Sequence, residues 1–360
     1  MIDIKERGVV IATKMDVITN KLEALLAQVP IRVDKTVTTK QEIVPILKKY
    51  RPNAILLDVT FIEENDPLIT EIVMILNIPL IILSSGSVHH TARTVNAITH
   101  GASDFILYDN MDTPYYQEEI INKILHVVSS QKVSNKVTKI SREEKNAKDG
   151  IIHSFIRSKK KPFPTNIDFK SIVAIGTSTG GPKALQTVLS SLPKNFPAPI
   201  VIVQHMPSGF TKSLADRLNN ICQIRVKEAT DGEKLIPGTA YIAPGNYHMI
   251  VNQHYSISTF IGEERGGHRP SVNTLFESIA ELTNVNKVAV ILTGMGKDGA
   301  QGVKKMKEND SNTVVIVESE ETAIINGMPK ATLHTGYVSE VVRLENIGER
   351  IIHYIMKRGN

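Results

Sequence analysis

The sequence predicts an α/β protein made of two doubly wound parallel-sheet domains joined by a basic linker. Three observations carry this prediction. Short apolar runs alternate with stretches of helical spacing, the pattern of buried parallel strands separated by helices. The alternation occurs twice, from position 8 to about 128 and again from about 171 to the C-terminus. Between the two lies a stretch rich in Lys, Ser and Asn. A chain of 360 residues is long enough for about two domains. The expected division is therefore 1–128, a linker over 129–170, and 171–360.

In the first domain the runs "VVIA", "AILLD", "PLIILSS" and "DFILY" read as strands buried on both faces. Between the first strands, Val17, Ile18, Leu22, Leu25, Leu26 and Val29 fall at helical spacing. About five β-α units imply a doubly wound sheet of flavodoxin-type order. The linker carries "RSKKKPFP" near its end and reads as solvated, with transient helix around 141–148. In the second domain, expected to be Rossmann-like, the strand candidates are "IVAIG", "PIVIVQH", "AYIAP", "HMIVN", "KVAVILTG" and "TVVIVE". Helices are expected over Pro182–Leu192, Phe210–Leu218, Val272–Leu282, Ala300–Glu308 and Glu345–Met356.

The composition, 41% hydrophobic and 22% charged, is that of an ordinary globular chain. One cysteine, Cys222, excludes an internal disulfide framework, and its apolar context reads as a buried core thiol. The charged start "MIDIKER" is no secretion signal, and no run of about 18 apolar residues follows, so a cytoplasmic protein without membrane insertion is expected. The net charge of +5 gathers between the domains rather than on one face, which argues against nucleic-acid binding.

Chemistry in open parallel sheets gathers beyond the carboxyl ends of the strands. Three polar residues follow such ends: Ser178 in "VAIGTSTGGPKAL", His205 in "VIVQHMP", and Asp298 in "ILTGMGKDGA". Together they are the parts of a nucleophilic triad. A serine hydroxyl needs a base to become a nucleophile; histidine titrates near neutrality; an aspartate fixes the imidazole and stabilises its cation. The glycine turn around Ser178, followed by a helix start, supplies N–H groups for a developing oxyanion, and "GMG" is a second such turn. A phosphate loop is the competing reading of "GTSTGG", but it lacks the Lys-Ser/Thr pair and does not match G-x-G-x-x-G. His89-His90 and Gly267-His268 lack the spacing of a zinc cluster, so no metal and no cofactor is expected in catalysis.

In the order "IGTSTGGPKAL", "VIVQHMPSGFTKSLADRLN", "YIAPGNYHM", "HRPSVNTLF", "ILTGMGKDGAQG" and "INGMPKA", the second domain resembles the catalytic domain of the chemotaxis protein-glutamate methylesterases. The resemblance runs over 171–357. It implies Ser178, His205 and Asp298 as the triad, with Thr179 and Met295 supporting the oxyanion. The implied reaction hydrolyses glutamate methyl esters on the cytoplasmic helices of chemoreceptors and releases methanol, and many family members also deamidate receptor glutamines. A further implied partner is the chemotaxis histidine kinase. The first domain resembles a response-regulator receiver, with Asp58 at the phospho-acceptor position and Ser84 or Ser85 at the hydroxyl position. It departs from the receiver pattern where Thr13 and Lys14 replace the paired acids and Tyr108 replaces the lysine. Magnesium needs oxygen ligands beside the acceptor, so this pocket is expected to bind Mg²⁺ poorly and to phosphorylate poorly. A catalytically reduced docking module on receptors is the alternative, and the complete triad speaks against it. The substrate is expected in a shallow cleft between "HMPSGF" and Ile325–Pro329, with Met206, Phe210 and Met328 as apolar contacts.

Overall fold

The structure, a computed structural model, describes residues 7–63, 66–130 and 169–359. The linker expected over 129–170, with its transient helix, lies outside the described residues except at its two ends.

The first sheet comes from β1 (Arg7–Ala12), β2 (Ile31–Val37), β3 (Ala54–Asp58), β4 (Leu80–Ser84) and β5 (Asp104–Leu107). Its order is β2-β1-β3-β4-β5, with every pair parallel, which is the flavodoxin-type order. Around it run α1 (Asp16–Leu26), α2 (Lys40–Tyr50), α3 (Leu68–Thr70, continued by a π-turn), α4 (Val88–Thr99) and α5 (Pro114–Ser130). Every residue of β3 and β4 is buried, because helices cover both faces and leave no solvent side to reward polar alternation. Helix α1 buries Ile18, Leu22, Leu25 and Leu26 as its spacing predicts, while Val17 turns to solvent. Helix α5 continues through Ser130, beyond the boundary expected at 128.

The second domain begins with β6 (Ser171–Thr177) and α6 (Gly181–Ser190), then β7 (Ile200–Gln204) and α7 (Phe210–Ile221). Strands β8 (Arg225–Glu228), β9 (Thr239–Ile242), β10 (His248–Val251) and β11 (Ile257–Phe260) follow. Then come α8 (Val272–Ala280), β12 (Asn286–Ile291), α9 (Ala300–Asn309), β13 (Val314–Glu318), α10 (Gly327–Leu333), β14 (Glu340–Val342) and α11 (Leu344–Gly359). Seven strands form a parallel sheet in the order β14-β13-β12-β6-β7-β9-β8, and β10 with β11 makes a separate antiparallel hairpin. The order reverses direction beside β6: the chain proceeds to β7 on one side and later returns to β12 on the other. That reversal opens a crevice at the carboxyl edge.

In the second domain four elements were not among those expected: β8, β11, β14 and α10. The strands are short, sit at sheet edges or in the hairpin, and carry polar residues such as "RVKE". Helix α10 opens with Gly-Met-Pro, a composition that reads as a turn. Cys222 also departs from expectation. It sits half-buried at the end of α7, 3.6 Å from the Ser190 hydroxyl, and not in the core.

The two domains touch directly. Helix α4 lies against α6 and α7, and buried apolar side chains continue from the first sheet into the second.

Candidate active site

Ser178 stands immediately after β6, at the start of the turn that leads into α6. The turn is held tightly. The Gly181 N–H donates to the Ser178 carbonyl at 2.8 Å, and Gly180 takes φ +78°, a conformation that favours glycine. The Gln204 side chain donates to the same Ser178 carbonyl at 2.9 Å. On the other side Gly294 approaches so closely that a Cβ there would meet the Ser178 Cβ at 2.9 Å and the Met328 sulfur at 2.3 Å.

His205 follows β7, its N–H donating to the Thr177 carbonyl at 3.2 Å. Asp298 comes from the loop between β12 and α9 and reaches the start of α8. Its Oδ2 lies 2.9 Å from His205 Nε2 and accepts the Val272 N–H at 2.7 Å. Its Oδ1 accepts from the Ser271 hydroxyl (3.0 Å), the Asn273 N–H (2.9 Å) and its neighbour Gly299 (3.1 Å). Burial acts to raise the Asp298 pKa. The hydrogen bond and charge of His205, together with the N–H groups of Asn273 and Val272, outweigh it and hold the carboxyl down at about 2. Asp298 is therefore an anion at any working pH, fixed by a helix start as well as by the imidazole.

Ser178 and His205 line one cavity of about 450 Å³. The serine–histidine hydrogen bond itself is not made: His205 Nδ1 is buried and has no partner among the described residues. With Nε2 committed to Asp298, Nδ1 is the ring atom left to take a proton. Catalytic contacts of this kind often close only when substrate is bound.

Thr293, just after β12, joins the site's loops. Its carbonyl accepts the Ser178 N–H (3.1 Å) and the Thr177 hydroxyl (2.9 Å), and its own hydroxyl donates to the Thr179 carbonyl (2.9 Å). The Ser178 N–H is thus occupied. Among the described residues no acceptor holds the N–H of Thr179 or of Met295, and both residues line the cavity. They are the donors available to an oxyanion.

His268 was not singled out by sequence, where it read only as a failed zinc ligand. Its ring stacks on His205 with centroids 3.8 Å apart and planes at 12°. Burial first, and the neighbouring His205 second, push its pKa down to about 4. It covers one face of the His205 imidazole as a neutral plate.

The first domain closes the cavity. Asp104 of β5 is buried and accepts the Thr179 hydroxyl at 2.8 Å. The Phe105 ring stacks on Phe210 at 4.8 Å. Lys123 of α5 lies 3.9 Å from Asp104 and 3.0 Å from Glu119. Burial raises the Asp104 pKa, opposed by Lys123 and by the hydrogen bonds of Phe105 and Thr179. This corrects the expected cleft. Met206, Phe210 and Met328 are 5%, 0% and 0% exposed. Phe210 meets the first domain, and Met328 packs beneath Gly294. The segment Ile325–Pro329 does not line the cavity, although Met206 does.

Asp58 lies far from this chemistry, at the end of β3. It is buried, and both carboxylate oxygens are occupied: Thr13 donates to Oδ2 at 2.8 Å and the Thr60 N–H to Oδ1 at 2.9 Å. Lys14 reaches over the Phe61 ring instead. Ser84 accepts from Thr94 at 2.8 Å, and Ser85 sits 2.7 Å from His90. Among the described residues no group of three or more His, Cys, Asp or Glu converges to hold a metal. With Thr13 and Lys14 in place of the acids, the residues present do not fit Mg²⁺.

A parallel α/β domain that places Ser178, His205 and Asp298 at its carboxyl edge has the residues a serine-triad hydrolase needs, and a flavodoxin-type domain lies against it. Comparison with known proteins narrows the class. The family described as CheB methylesterase matches residues 173–351. A protein-glutamate methylesterase/protein-glutamine glutaminase of Oceanobacillus iheyensis is 45% identical over 283 residues, covering 76% of this chain and 77% of that one. Another of the same name, from Bacillus subtilis, is 36% identical over 336 residues, covering 91% and 92%. The solved CheB methylesterase catalytic domain of Thermotoga maritima is 44% identical, with 51% of this chain and 98% of that one covered and a TM-score of 0.49. The chain belongs to the protein-glutamate methylesterase/protein-glutamine glutaminase family.

Proposed function

We propose that this chain hydrolyses methyl esters on glutamate side chains of chemoreceptor helices, releasing methanol, and converts receptor glutamines to glutamate at the same site. The observation that carries the reading is the His205–Asp298 pair, 2.9 Å apart, whose imidazole lines the same cavity as Ser178, Thr179 and Met295.

The chemistry follows from these atoms. Ser178 Oγ attacks the ester carbonyl carbon as its proton passes to His205 Nδ1. Asp298 holds the resulting imidazolium through Nε2. The carbonyl oxygen becomes an oxyanion between the Thr179 and Met295 N–H groups. Collapse breaks the C–O bond, and His205 returns the proton to the departing methoxide, giving methanol. Water then attacks the acyl-serine by the same route, releasing glutamate and restoring Ser178. With glutamine the C–N bond breaks and ammonia leaves. No step calls for a cofactor.

The partners are the cytoplasmic helices of chemoreceptors; the chemotaxis histidine kinase is the weaker candidate, because both Asp58 oxygens are occupied. No described helix is long and apolar enough to cross a membrane, and a cytoplasmic location suits these partners. The test is methanol release from methylated receptor together with labelling by a fluorophosphonate serine probe. Both should vanish in Ser178→Ala. Methanol release without labelling, or labelling that persists in Ser178→Ala, refutes the assignment of the nucleophile. A docking module would show neither.

A further inference from the structure

The mechanism above leaves one buried acid without a task. Glu318 ends β13, is 0% exposed, and lies behind the nucleophile turn. Its Oε2 accepts the Thr293 N–H at 2.8 Å. Its Oε1 is buried and has no hydrogen-bond partner among the described residues.

Thr293 is the residue whose carbonyl fixes the Ser178 N–H and whose hydroxyl fixes the Thr179 carbonyl. The same hydroxyl accepts the Ile325 N–H at 2.9 Å, and the next residue, Gly294, exchanges hydrogen bonds with Ile325 and Met328. Three loops therefore meet at one threonine, and Glu318 anchors that threonine's N–H. Two hydrogen bonds in series separate the carboxyl from the backbone of the nucleophile.

We propose that Glu318 is a positioning residue for the esterase reaction, acting through Thr293, and that it does this work as a neutral carboxylic acid. The proposal rests on the reading of Ser178 as the nucleophile. A neutral carboxyl oxygen accepts the Thr293 N–H and adds no charge. An ionised Glu318 would place an uncompensated anion behind the turn on which a second negative charge, the oxyanion, must form. In a water-poor site that repulsion is weakly screened. It would also leave Oε1 as a buried charged acceptor with nothing to satisfy it.

The surroundings favour the neutral form. Burial is the main cause, and the nearby Glu345 carboxylate adds to it, against the Thr293 N–H and the Thr322 hydroxyl; together they push the Glu318 pKa up to about 7. Among the described residues, the groups around it supply no compensating cation. Beside it, β12 and the nucleophile turn present the Thr293 and Thr177 hydroxyls and backbone groups. The loop after β13 presents Thr322, Glu320 and Glu321, and the start of α11 presents Glu345. The neighbouring Arg343 is already engaged by Glu345 at 2.7 Å and by Glu321. Because the folded-state pKa is raised, the stability that Glu318 contributes is complete below 4.5 and is lost as pH rises through about 7.

The test compares pH profiles of methanol release from methylated receptor for the full chain, Glu318→Gln and Glu318→Ala, with Ser178→Ala as control. Gln keeps an uncharged oxygen for Thr293 and does not ionise. Between roughly pH 7 and 8.5 the wild-type kcat should fall about tenfold as Glu318 ionises, while Glu318→Gln holds its activity. Near pH 6 the Gln variant should match wild type within about twofold, and Glu318→Ala should be down about tenfold because Thr293 loses its acceptor. All these proteins carry the same Asp104, so any pH effect on domain closure moves their profiles alike. Superimposable wild-type and Gln profiles would overturn the proposal, as would an Ala variant with full kcat at pH 6. If Glu318→Ala does not fold, the wild-type and Gln profiles still decide. A dead Ser178→Ala alongside superimposable profiles refutes only the role of Glu318; an active Ser178→Ala refutes the nucleophile itself.

Discussion

Replacing Asp104 by Ala should activate the full chain without touching the triad. In the closed arrangement the Asp104 carboxyl accepts the Thr179 hydroxyl at 2.8 Å, directly beside the nucleophile. A hydrogen bond to a charged acceptor contributes about 1.5–3 kcal/mol. Burial takes back part of this, as the raised Asp104 pKa shows. A net loss of about 1–2 kcal/mol from the closed form is reasonable, and that is a factor of roughly 5–30 in a two-state equilibrium. Lys123 keeps Glu119 at 3.0 Å, so the variant does not strand a buried cation. The assay is initial-rate methanol release from methylated receptor, at fixed pH and salt, for wild type, Asp104→Ala and residues 169–360. Where the closed form dominates, Asp104→Ala should be about 5–30 times faster than wild type, and the isolated catalytic segment should set the ceiling. If neither change raises the rate while Ser178→Ala is inactive, the first domain does not restrain the site, and the Asp104–Thr179 contact has no bearing on activity.

Other outcomes follow from the same geometry. Ser178→Ala and His205→Ala should each lower kcat by roughly 10³ to 10⁶, and the double variant by little more, because the triad acts as a unit; single-turnover methanol release measures this. Asp58→Asn should leave activity and its response to acetyl phosphate with Mg²⁺ nearly unchanged, since both Asp58 oxygens are occupied by Thr13 and Thr60. A several-fold activation by acetyl phosphate that disappears in Asp58→Asn would contradict this. Gly294→Ala should destabilise the domain by about 1–3 kcal/mol and disturb Ser178, because the added Cβ overlaps Met328 and Ser178; a denaturant melt with unchanged midpoint would refute it.

What the sequence revealed, and what it hid, divides along physical lines. Ser178, His205 and Asp298 were visible because each directly follows a continuous apolar strand, and parallel sheets bring such positions to one edge. The helices with strong 3.6-residue spacing were visible for the same reason of pattern. Edge strands such as β14 were not, since three residues at a sheet margin leave no periodic trace. Thr293 and Glu318 matter through contacts with loops more than a hundred and about 25 residues away, respectively, and nothing in "LTGMG" or "IVES" marks them. Phe210 and Met328 misled, while Met206 does line the cavity, because methionine and phenylalanine near a site read equally as substrate contacts or as core. Asp104 looked like the polar start of a strand; its partner Thr179 lies in another domain.

The cover and the enzyme do not meet as two finished surfaces. Helix α4 rests on α6 and α7, Phe105 stacks on Phe210, and apolar side chains run unbroken from one sheet to the other. Opening the site therefore wets carbon that was dry. Such a step has a positive heat-capacity change, and the apolar force that resists it weakens on cooling. The latch is in part a thermometer: held by hydrophobic contact, it loosens in the cold, just where the chemistry beneath it slows. If the first domain restrains the site, part of the loss of rate on cooling should be offset by this loosening, so full-length protein should lose less activity on cooling than residues 169–360.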